Sequence, residues 1–135
     1  MINESPSLPK GLYRRAFDQS LRPGVVVAMP QPAAARPYLA ALGMPPAVRL
    51  LKRVAAIGGE TVCATPGRLR WPRGAVRSFA TDRRGVALPR WAGCRALTSG
   101  ELLLLGDTAA SFDSRYFGPA PKAAVEGVFV ETLTW

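Results

Sequence analysis

Short runs of apolar residues, separated by glycine and proline, are the dominant pattern along the chain. The runs at residues 25–29, 50–57 and 102–105 are the clearest of them. Their lengths, and the β-branched residues in the first two, are typical of buried strands. A pair of glycines at 58–59 predicts a hairpin turn into a further strand at residues 61–64. Short strands spaced in this way predict a mainly β fold, an antiparallel β-barrel or sandwich.

Weaker patterns fill the rest of the chain. Residues 76–79 and 85–88 predict two more short strands, and the alternation at 124–133 predicts a terminal one. Proline at position 37 and glycine at position 43 predict a short helix over residues 37–43. Residues 1–22 are polar and broken by proline and glycine, which predicts an extended entry segment with turns.

Length and composition agree with one folded domain over residues 1–135. The chain is 48% hydrophobic, which is enough to bury a core. Its 13 glycines and 13 prolines favour a loop-rich β domain over a helical bundle. The longest apolar runs are far shorter than the roughly 20 residues of a membrane-spanning helix.

The ionisable residues exclude several kinds of chemistry. The sequence contains no histidine, so it cannot form a Ser-His-Asp triad, a Cys-His dyad or a histidine-ligated metal site. Its two cysteines cannot form a four-cysteine zinc site. We therefore expect neither a metal nor a cofactor. Any nucleophilic enzyme in this chain must use a base other than imidazole.

The net charge of +9 suggests an anionic partner, either nucleic acid or a membrane surface. The arginines are scattered along the chain and form neither a helical stripe nor a basic–aromatic alternation. A dedicated nucleic-acid interface is therefore not expected. The membrane lipid surface remains an expected partner.

Lysine is the natural alternative base. The ordinary pKa of a lysine, about 10.4, keeps it protonated at neutral pH, but burial in apolar surroundings lowers that value. Lys10 and Lys122 adjoin proline and glycine and have the character of exposed loop residues, whereas Lys52 lies inside an apolar run. Strand alternation places Lys52 on the same face as Val54. Lys52 is thus either a desolvated base or a lysine on the solvent face of a half-buried strand.

Three stretches, in order, resemble the signal peptidase family of Ser/Lys proteases. SLPKGLY at 7–13 resembles the nucleophile box, and LLKRVAAIGGETV at 50–62 is similar to the box with the base lysine. GDTAASFDSRYFG at 106–118 resembles the family's Gly-Asp … Ser-x-Asp-Ser-Arg box, and RPGVVVAM at 22–29 resembles the strand between the first two boxes. The resemblance covers nearly the whole chain and implies the family's β-rich fold and serine endopeptidase activity.

Details of the boxes resemble the TraF-type conjugative-transfer branch of the family. The nucleophile box of that branch is matched by Asn3, Ser5, Ser7, Pro9, Gly11 and Tyr13. Housekeeping signal peptidases have one more residue between serine and proline, and usually methionine where this chain has Leu8. The third box is also one residue shorter than theirs and has Thr108 in place of asparagine.

The resemblance implies a role for each matched residue in catalysis. Ser7 corresponds to the nucleophile and Lys52 to the general base. Ser5 corresponds to the residue whose hydroxyl joins the Ser7 backbone N–H in the oxyanion hole, where losing one donor typically costs about 10²–10³ in rate. Read without the resemblance, Ser5 and Ser7 are turn serines.

The third box supplies supporting residues. Ser111 corresponds to the serine that hydrogen-bonds and orients the lysine amine, and Asp113 and Arg115 correspond to a structural ion pair beneath the site. The alternative for Asp113 is an ordinary loop cap. The resemblance places the domain on the periplasmic side of a bacterial inner membrane, an oxidising compartment. A disulfide between Cys63 and Cys94 is possible there, and two free thiols are the alternative.

The predicted protein is a membrane-anchored, monomeric serine endopeptidase that processes the precursor polypeptide of a conjugative pilus subunit. Family members carry a transmembrane helix just before the nucleophile box, so we expect that the native anchor has been removed from this chain. The residues leave open whether water or an amine, which would cyclise the product, resolves the acyl-enzyme. The alternatives are a catalytically silent scaffold in a secretion channel and a basic β-barrel that binds nucleic acid.

An apolar surface beside the nucleophile is a further expectation. Leu8, Leu12, Tyr13 and residues 25–29 would shield the lysine and dock against anionic lipid, with help from nearby arginines. The same residues would suit a buried strand equally well.

Overall fold

The structure is a computed structural model that describes residues 2–3, 7–16 and 20–134. In this part of the chain, eleven strands form two antiparallel sheets, with two short α-helices and one 3₁₀ helix. The predicted mainly β fold with short helices is therefore confirmed. Within the same residues, no helix combines the length and the hydropathy needed to cross a membrane.

The larger sheet has seven described strands. They are β1 (Ile2–Asn3), β2 (Gly11–Ala16), β3 (Val26–Met29), β4 (Leu50–Ala56), β9 (Glu101–Leu105), β10 (Ala120–Pro121) and β11 (Gly127–Thr134). Their spatial order is β1-β2-β11-β3-β4-β9-β10. The long C-terminal strand β11 therefore lies between β2 and β3 and joins the two ends of the described chain in one sheet.

The smaller sheet has four described strands in the order β7-β6-β5-β8. They are β5 (Thr61–Thr65), β6 (Arg68–Trp71), β7 (Gly74–Arg77) and β8 (Gly93–Ala96). The helices are α1 (Arg36–Ala41), α2 (Ser114–Phe117) and the 3₁₀ helix Lys122–Ala124. Cys63 and Cys94 are directly opposite each other on β5 and β8 and are joined by a disulfide.

Strand β4 determines where the candidate base lies. Its burial alternates along the strand: Leu50, Lys52 and Val54 are buried, and the residues between them are half-buried. Leu50 and Val54 belong to the main hydrophobic core. Lys52 is therefore on the core face of a strand whose two neighbours, β3 and β9, both pair with it.

The two sheets share a second hydrophobic cluster. Val62 and Leu69 of the smaller sheet belong to it, together with Leu103 and Leu105 of the larger one. Because β9 contributes to this cluster and also pairs with β4, the smaller sheet is coupled to the strand that carries Lys52.

Several expectations from the sequence are wrong in detail. Residues 85–88 form no strand, because the Asp82 carboxylate accepts hydrogen bonds from the backbone N–H groups of Arg84 and Val86 and folds the segment into a turn. The entry segment is extended as expected, and it is regular over Gly11–Ala16, where it forms strand β2. Strands β6 and β8 and helix α2 lie in regions without a clear hydrophobic pattern and were not predicted.

The apolar docking surface expected beside the nucleophile is also mostly wrong. Leu8 and Tyr13 are 3% and 1% exposed, and β3 is buried along its whole length. Leu8, Tyr13 and Val26 instead form a third hydrophobic cluster. Only Leu12 of the expected surface is exposed, at 41%. These residues are core because one face of β2, which carries Tyr13, packs with Leu8 and Val26, while its other face, which carries Leu12, is exposed.

Candidate active site

The side chains of Ser7 and Lys52 meet at the core face of the larger sheet. Lys52 Nζ donates a hydrogen bond to Ser7 Oγ at 3.3 Å. Both residues are buried, with 8% of Ser7 and 5% of Lys52 exposed. In the described part of the chain, the Ser7 hydroxyl is the only hydrogen-bond partner of the lysine amine. A serine hydroxyl and a desolvated amine at this distance have the geometry that a nucleophile and its base require.

The surroundings of Lys52 favour its neutral form. Burial lowers the pKa of Lys52 from its ordinary value of 10.5 to about 8. The negative charge of Asp113 opposes this change in pKa, and the positive charge of Arg115 adds to it. An amine with a pKa near 8 can accept the proton of the Ser7 hydroxyl close to neutral pH.

Two contacts between described residues help to fix the segment that carries Ser7. The backbone N–H of Asp107 donates to the Ser7 carbonyl oxygen. The Tyr13 hydroxyl donates to the Pro9 carbonyl oxygen at 2.6 Å, and Tyr13 is itself buried. Gly11 follows in β2, where a Cβ atom would lie 2.8 Å from the Cα atom of Thr134, so the close approach of β11 requires glycine. These contacts account for the Pro-x-Gly-x-Tyr spacing of the nucleophile box.

Gly106 brings the third box against the nucleophile. A Cβ atom at this position would lie 2.8 Å from Ser7 Cβ and 2.6 Å from Ser111 Cβ. Only glycine therefore lets the backbone at 106 pass between the two serines. Ser111 is 2% exposed and is thus a buried neighbour of the nucleophile.

The hydroxyl of Ser111 has a different partner from the one predicted. Its Oγ accepts a hydrogen bond from the Thr108 backbone N–H at 3.2 Å and lies 2.8 Å from Thr108 Oγ1. No hydrogen bond joins Ser111 to Lys52 among the described residues. The orienting role of Ser111 stays a prediction, and Thr108 is a site neighbour that the sequence did not reveal as one.

Asp113 and Arg115 form a buried ion pair that holds the loop from Gly106 to Ser111 in place. Their side chains are 2.7 Å apart and almost completely inaccessible. Asp113 also accepts from the backbone N–H of Gly106 at 2.8 Å. Arg115 donates to the carbonyl oxygens of Thr108 and Ala109 at 2.9 and 3.1 Å. The pair therefore satisfies the polar backbone of a loop that would otherwise be unpaired inside the protein.

Arg53 is a second supporting residue that the sequence did not reveal. It follows Lys52 on the opposite face of β4 and binds both carboxylate oxygens of Asp107, at 3.0 and 2.9 Å. It also donates to the Gly24 carbonyl oxygen at 3.0 Å. Lys52 thus contacts the Ser7 side chain directly. Its neighbour Arg53 acts on the Ser7 backbone through Asp107, because the Asp107 N–H donates to the Ser7 carbonyl oxygen. The aspartate of the Gly-Asp box, Asp107, was the feature of the sequence that could have indicated a partner for Arg53.

The remaining predictions concern Ser5 and the two cysteines. Ser5 lies outside the described residues, so its role in an oxyanion hole stays a prediction. The disulfide of Cys63 and Cys94 belongs to the smaller sheet and contributes no side chain to the Ser7–Lys52 pair.

Comparisons with known proteins agree with the motifs. The family described as signal peptidase, peptidase S26, matches residues 2–135. A plasmid transfer protein TraF of Escherichia coli is 31% identical over 147 residues, which cover 99% of this chain and 82% of the relative. A conjugal transfer protein TraF of Agrobacterium fabrum is 32% identical over 149 residues, with the same coverage of both chains.

Among solved structures, a signal peptidase I from Enterococcus faecalis matches 82% of this chain and 97% of its own, at 23% identity and a TM-score of 0.48. The two TraF relatives match almost the whole length of this chain, and the resemblance to the TraF-type branch is confirmed. The chain belongs to the signal peptidase family, peptidase S26.

Proposed function

We propose that this protein is a serine endopeptidase of a conjugative transfer system, with Ser7 as nucleophile and Lys52 as general base. The observation that carries the proposal is the 3.3 Å hydrogen bond between Lys52 Nζ and Ser7 Oγ. It joins a hydroxyl to an amine whose pKa burial lowers to about 8. Both groups lie in a site from which water is largely excluded, where an amine without a counter-charge is most easily neutral.

The chemistry requires no group beyond these two and their supports. Neutral Lys52 takes the hydroxyl proton as Ser7 Oγ attacks the scissile carbonyl carbon. The tetrahedral intermediate collapses, the peptide C–N bond breaks, and the Lys52 ammonium returns the proton to the leaving amine. Water or a second amine then attacks the acyl-enzyme carbonyl carbon and loses its proton to Lys52. The ester bond to Ser7 Oγ breaks, and the Lys52 ammonium returns that proton to the serine oxygen. The Ser7 backbone N–H, joined by the Ser5 hydroxyl, is the proposed oxyanion hole.

The names of the relatives support the biological setting. They are described as plasmid transfer and conjugal transfer proteins. We propose that the substrate is the precursor of a conjugative pilus subunit, cleaved at the periplasmic face of the inner membrane. Attack by water would give a linear product, and attack by the substrate's own amine would give a cyclic one.

A serine-directed acylating probe followed by intact-mass analysis tests the pair directly. We expect Ser7→Ala to abolish labelling and Lys52→Met to lower its rate by a factor of at least about 10². Lys10→Met is the matched control, because Lys10 is an exposed lysine close to the nucleophile and should leave labelling unchanged. Full labelling of the Lys52→Met variant would refute the mechanism.

Intact mass of a candidate pilin precursor after incubation tests the substrate and the outcome. Linear and cyclic products differ by the mass of one water. If Ser7 is labelled but the precursor is not cleaved, the proposed peptidase activity stands and the proposed substrate is wrong. A protein that neither labels nor cleaves would instead be the silent scaffold.

A further inference from the structure

A cleft lies beside the loop that follows Gly106 and carries Ser111. It encloses about 660 Å³ between helix α1, the segment 79–88, the loop 109–112 and helix α2. None of its walls is used by the proposed Ser–Lys chemistry, except that Ser111 belongs to the lining. Clefts of this size with mostly apolar walls are characteristic of binding sites.

Aromatic rings form a preorganised floor for this cleft. The ring of Phe112 lies 4.6 Å from that of Tyr38 and stacks at 5.8 Å on that of Tyr116. Both tyrosine hydroxyls are anchored to the opposite wall: Tyr38 donates to Asp82 at 2.8 Å, and Tyr116 accepts from the Phe79 backbone N–H at 3.1 Å. The segment 79–88 is therefore tied to the floor at two points, and the cleft is held open.

Exposed apolar side chains are concentrated at its mouth. Leu42 and Phe79 line the cleft and are 39% and 42% exposed. Val86, 38% exposed, lies in the same segment as Phe79. The two lining residues, Leu42 and Phe79, are a third of the six large apolar side chains that are exposed in the described residues. Apolar surface gathered in this way around a concave site indicates that a ligand covers it.

The free charge at the mouth is positive. The Asp82 carboxylate is engaged by the Tyr38 hydroxyl and by the backbone N–H groups of Arg84 and Val86. Arg84 lies 3.7 Å from the same carboxylate. Arg83 lines the cleft and has no ion-pair partner in the described part of the chain. A ligand with an acidic group next to an apolar one would complement this mouth.

The cleft lies next to the candidate catalytic centre. Ser111 lines it, and the crowding at Gly106 places Ser111 within a few ångströms of Ser7. Ala109 and Ala110 line the cleft beside Ser111, and Arg115 fixes this part of the lining by its bond to the Ala109 carbonyl oxygen. A polypeptide bound across Ser7 that continues past Ser111 would reach the cleft.

We infer that the cleft binds a segment of the substrate polypeptide in which a large apolar or aromatic side chain is followed or preceded by a carboxylate. The aromatic floor accepts the apolar side chain, and Arg83 pairs with the acid. The inference rests on the proposed peptidase function and adds a specificity determinant outside the immediate surroundings of the scissile bond.

Internally quenched peptides with a common core of small residues test the apolar part. A phenylalanine is moved one position at a time along either side of the core, in place of serine. We expect one position at which phenylalanine raises kcat/KM about tenfold, mainly through KM. The Leu42→Ser, Phe79→Ser double variant should lose this gain. Val48→Ser is the matched control, because Val48 is 40% exposed and lies outside the cleft.

A charge exchange tests the acidic part. With phenylalanine at the preferred position, a neighbouring aspartate should be favoured over lysine severalfold, and Arg83→Glu should reverse that preference. Arg70→Glu, which makes the same charge change on the smaller sheet, should leave the preference unchanged. Equal cleavage of all the peptides would overturn the inference while the peptidase function stands.

Binding can be measured without turnover. The Ser7→Ala protein is titrated with the Phe-Asp peptide and with a Ser-Lys peptide of the same length, and methyl resonances are followed by NMR. We expect saturable shifts at Leu42, Leu88 and Ala110 with the first peptide only. Absence of these shifts would overturn the inference even if no peptide is cleaved. Failure of the peptidase function would appear separately, as an unlabelled Ser7 in the wild-type protein.

Discussion

Burial of Lys52 has opposite effects on stability and on reactivity. The amine lies on a core face with one hydrogen-bond partner among the described residues, so its charged form is disfavoured. Between pH values of about 8 and 10.5 the unfolded chain keeps this proton and the folded chain has lost it. The unfolded state then binds more protons, so this group's contribution to stability rises with pH across that window and is unfavourable below it. The same burial favours the neutral amine that the proposed mechanism requires.

The pH dependence of Ser7 acylation should follow from this ionisation. We expect the labelling rate to rise with pH and to level off above a midpoint near 8, because burial lowers the pKa of Lys52 to about 8 and the neutral amine is the active form. The measurement is the rate of probe labelling from about pH 6 to about pH 10. A rate that does not change over this range, or a midpoint near the ordinary value of lysine, would contradict the assignment.

The sequence identified single residues better than their partners. The boxes around Ser7 and Lys52 have fixed spacings, and alternation along β4 placed Lys52 with Val54 on one face, where the structure has them. The Thr108 partner of Ser111 and the Arg53–Asp107 pair were not predicted. Both depend on how a loop folds over a distant strand, and no local periodicity encodes that approach.

Among the elements, the loop from Gly106 to Arg115 contributes most to the geometry of the site. Asp113 begins helix α2 as its cap, accepting from the Arg115 backbone N–H at 3.0 Å, and also binds the Gly106 N–H. One carboxylate thus fixes both ends of the loop that carries Ser111. The predicted ion pair is a local property of the sequence, whereas its position beneath the loop is a property of the fold.

Removing this carboxylate should be costly. In Asp113→Ala the buried Arg115 guanidinium loses its counter-charge, and we expect the free energy of unfolding to fall by about 3–5 kcal/mol. Urea denaturation gives this value, and the labelling rate of Ser7 should fall with it because Gly106 loses its anchor. Glu126→Ala, which removes the exposed partner of Arg49, is the control and should cost less than about 1 kcal/mol. A similar loss in both variants would contradict the structural role of the buried pair.

At the scale of the whole molecule, the two sheets have different roles. The larger one contains the Ser7–Lys52 pair and the supports that hold it, and the smaller one packs against it through the cluster that includes Leu69 and Leu103. The strands best predicted from sequence, β3, β4 and β9, are the most apolar and lie next to one another in the larger sheet. Strands β6 and β8 carry arginines and glycine and depend on pairing with β5, so their patterns gave little signal.

The disulfide should therefore support stability more than catalysis. It joins β5 to β8 across 31 positions of sequence, within the smaller sheet. Replacing both Cys63 and Cys94 by serine frees that loop in the unfolded chain and should lower the free energy of unfolding by about 3 kcal/mol. At a temperature where the variant remains folded, Ser7 should be labelled at the wild-type rate, because β3, β4 and β9 keep their pairing.

Thermal unfolding with and without a thiol reductant gives the comparison: the reductant should lower the Tm of the wild-type protein towards that of the variant and leave the variant unchanged. Loss of labelling in a folded variant would show instead that the smaller sheet shapes the catalytic centre.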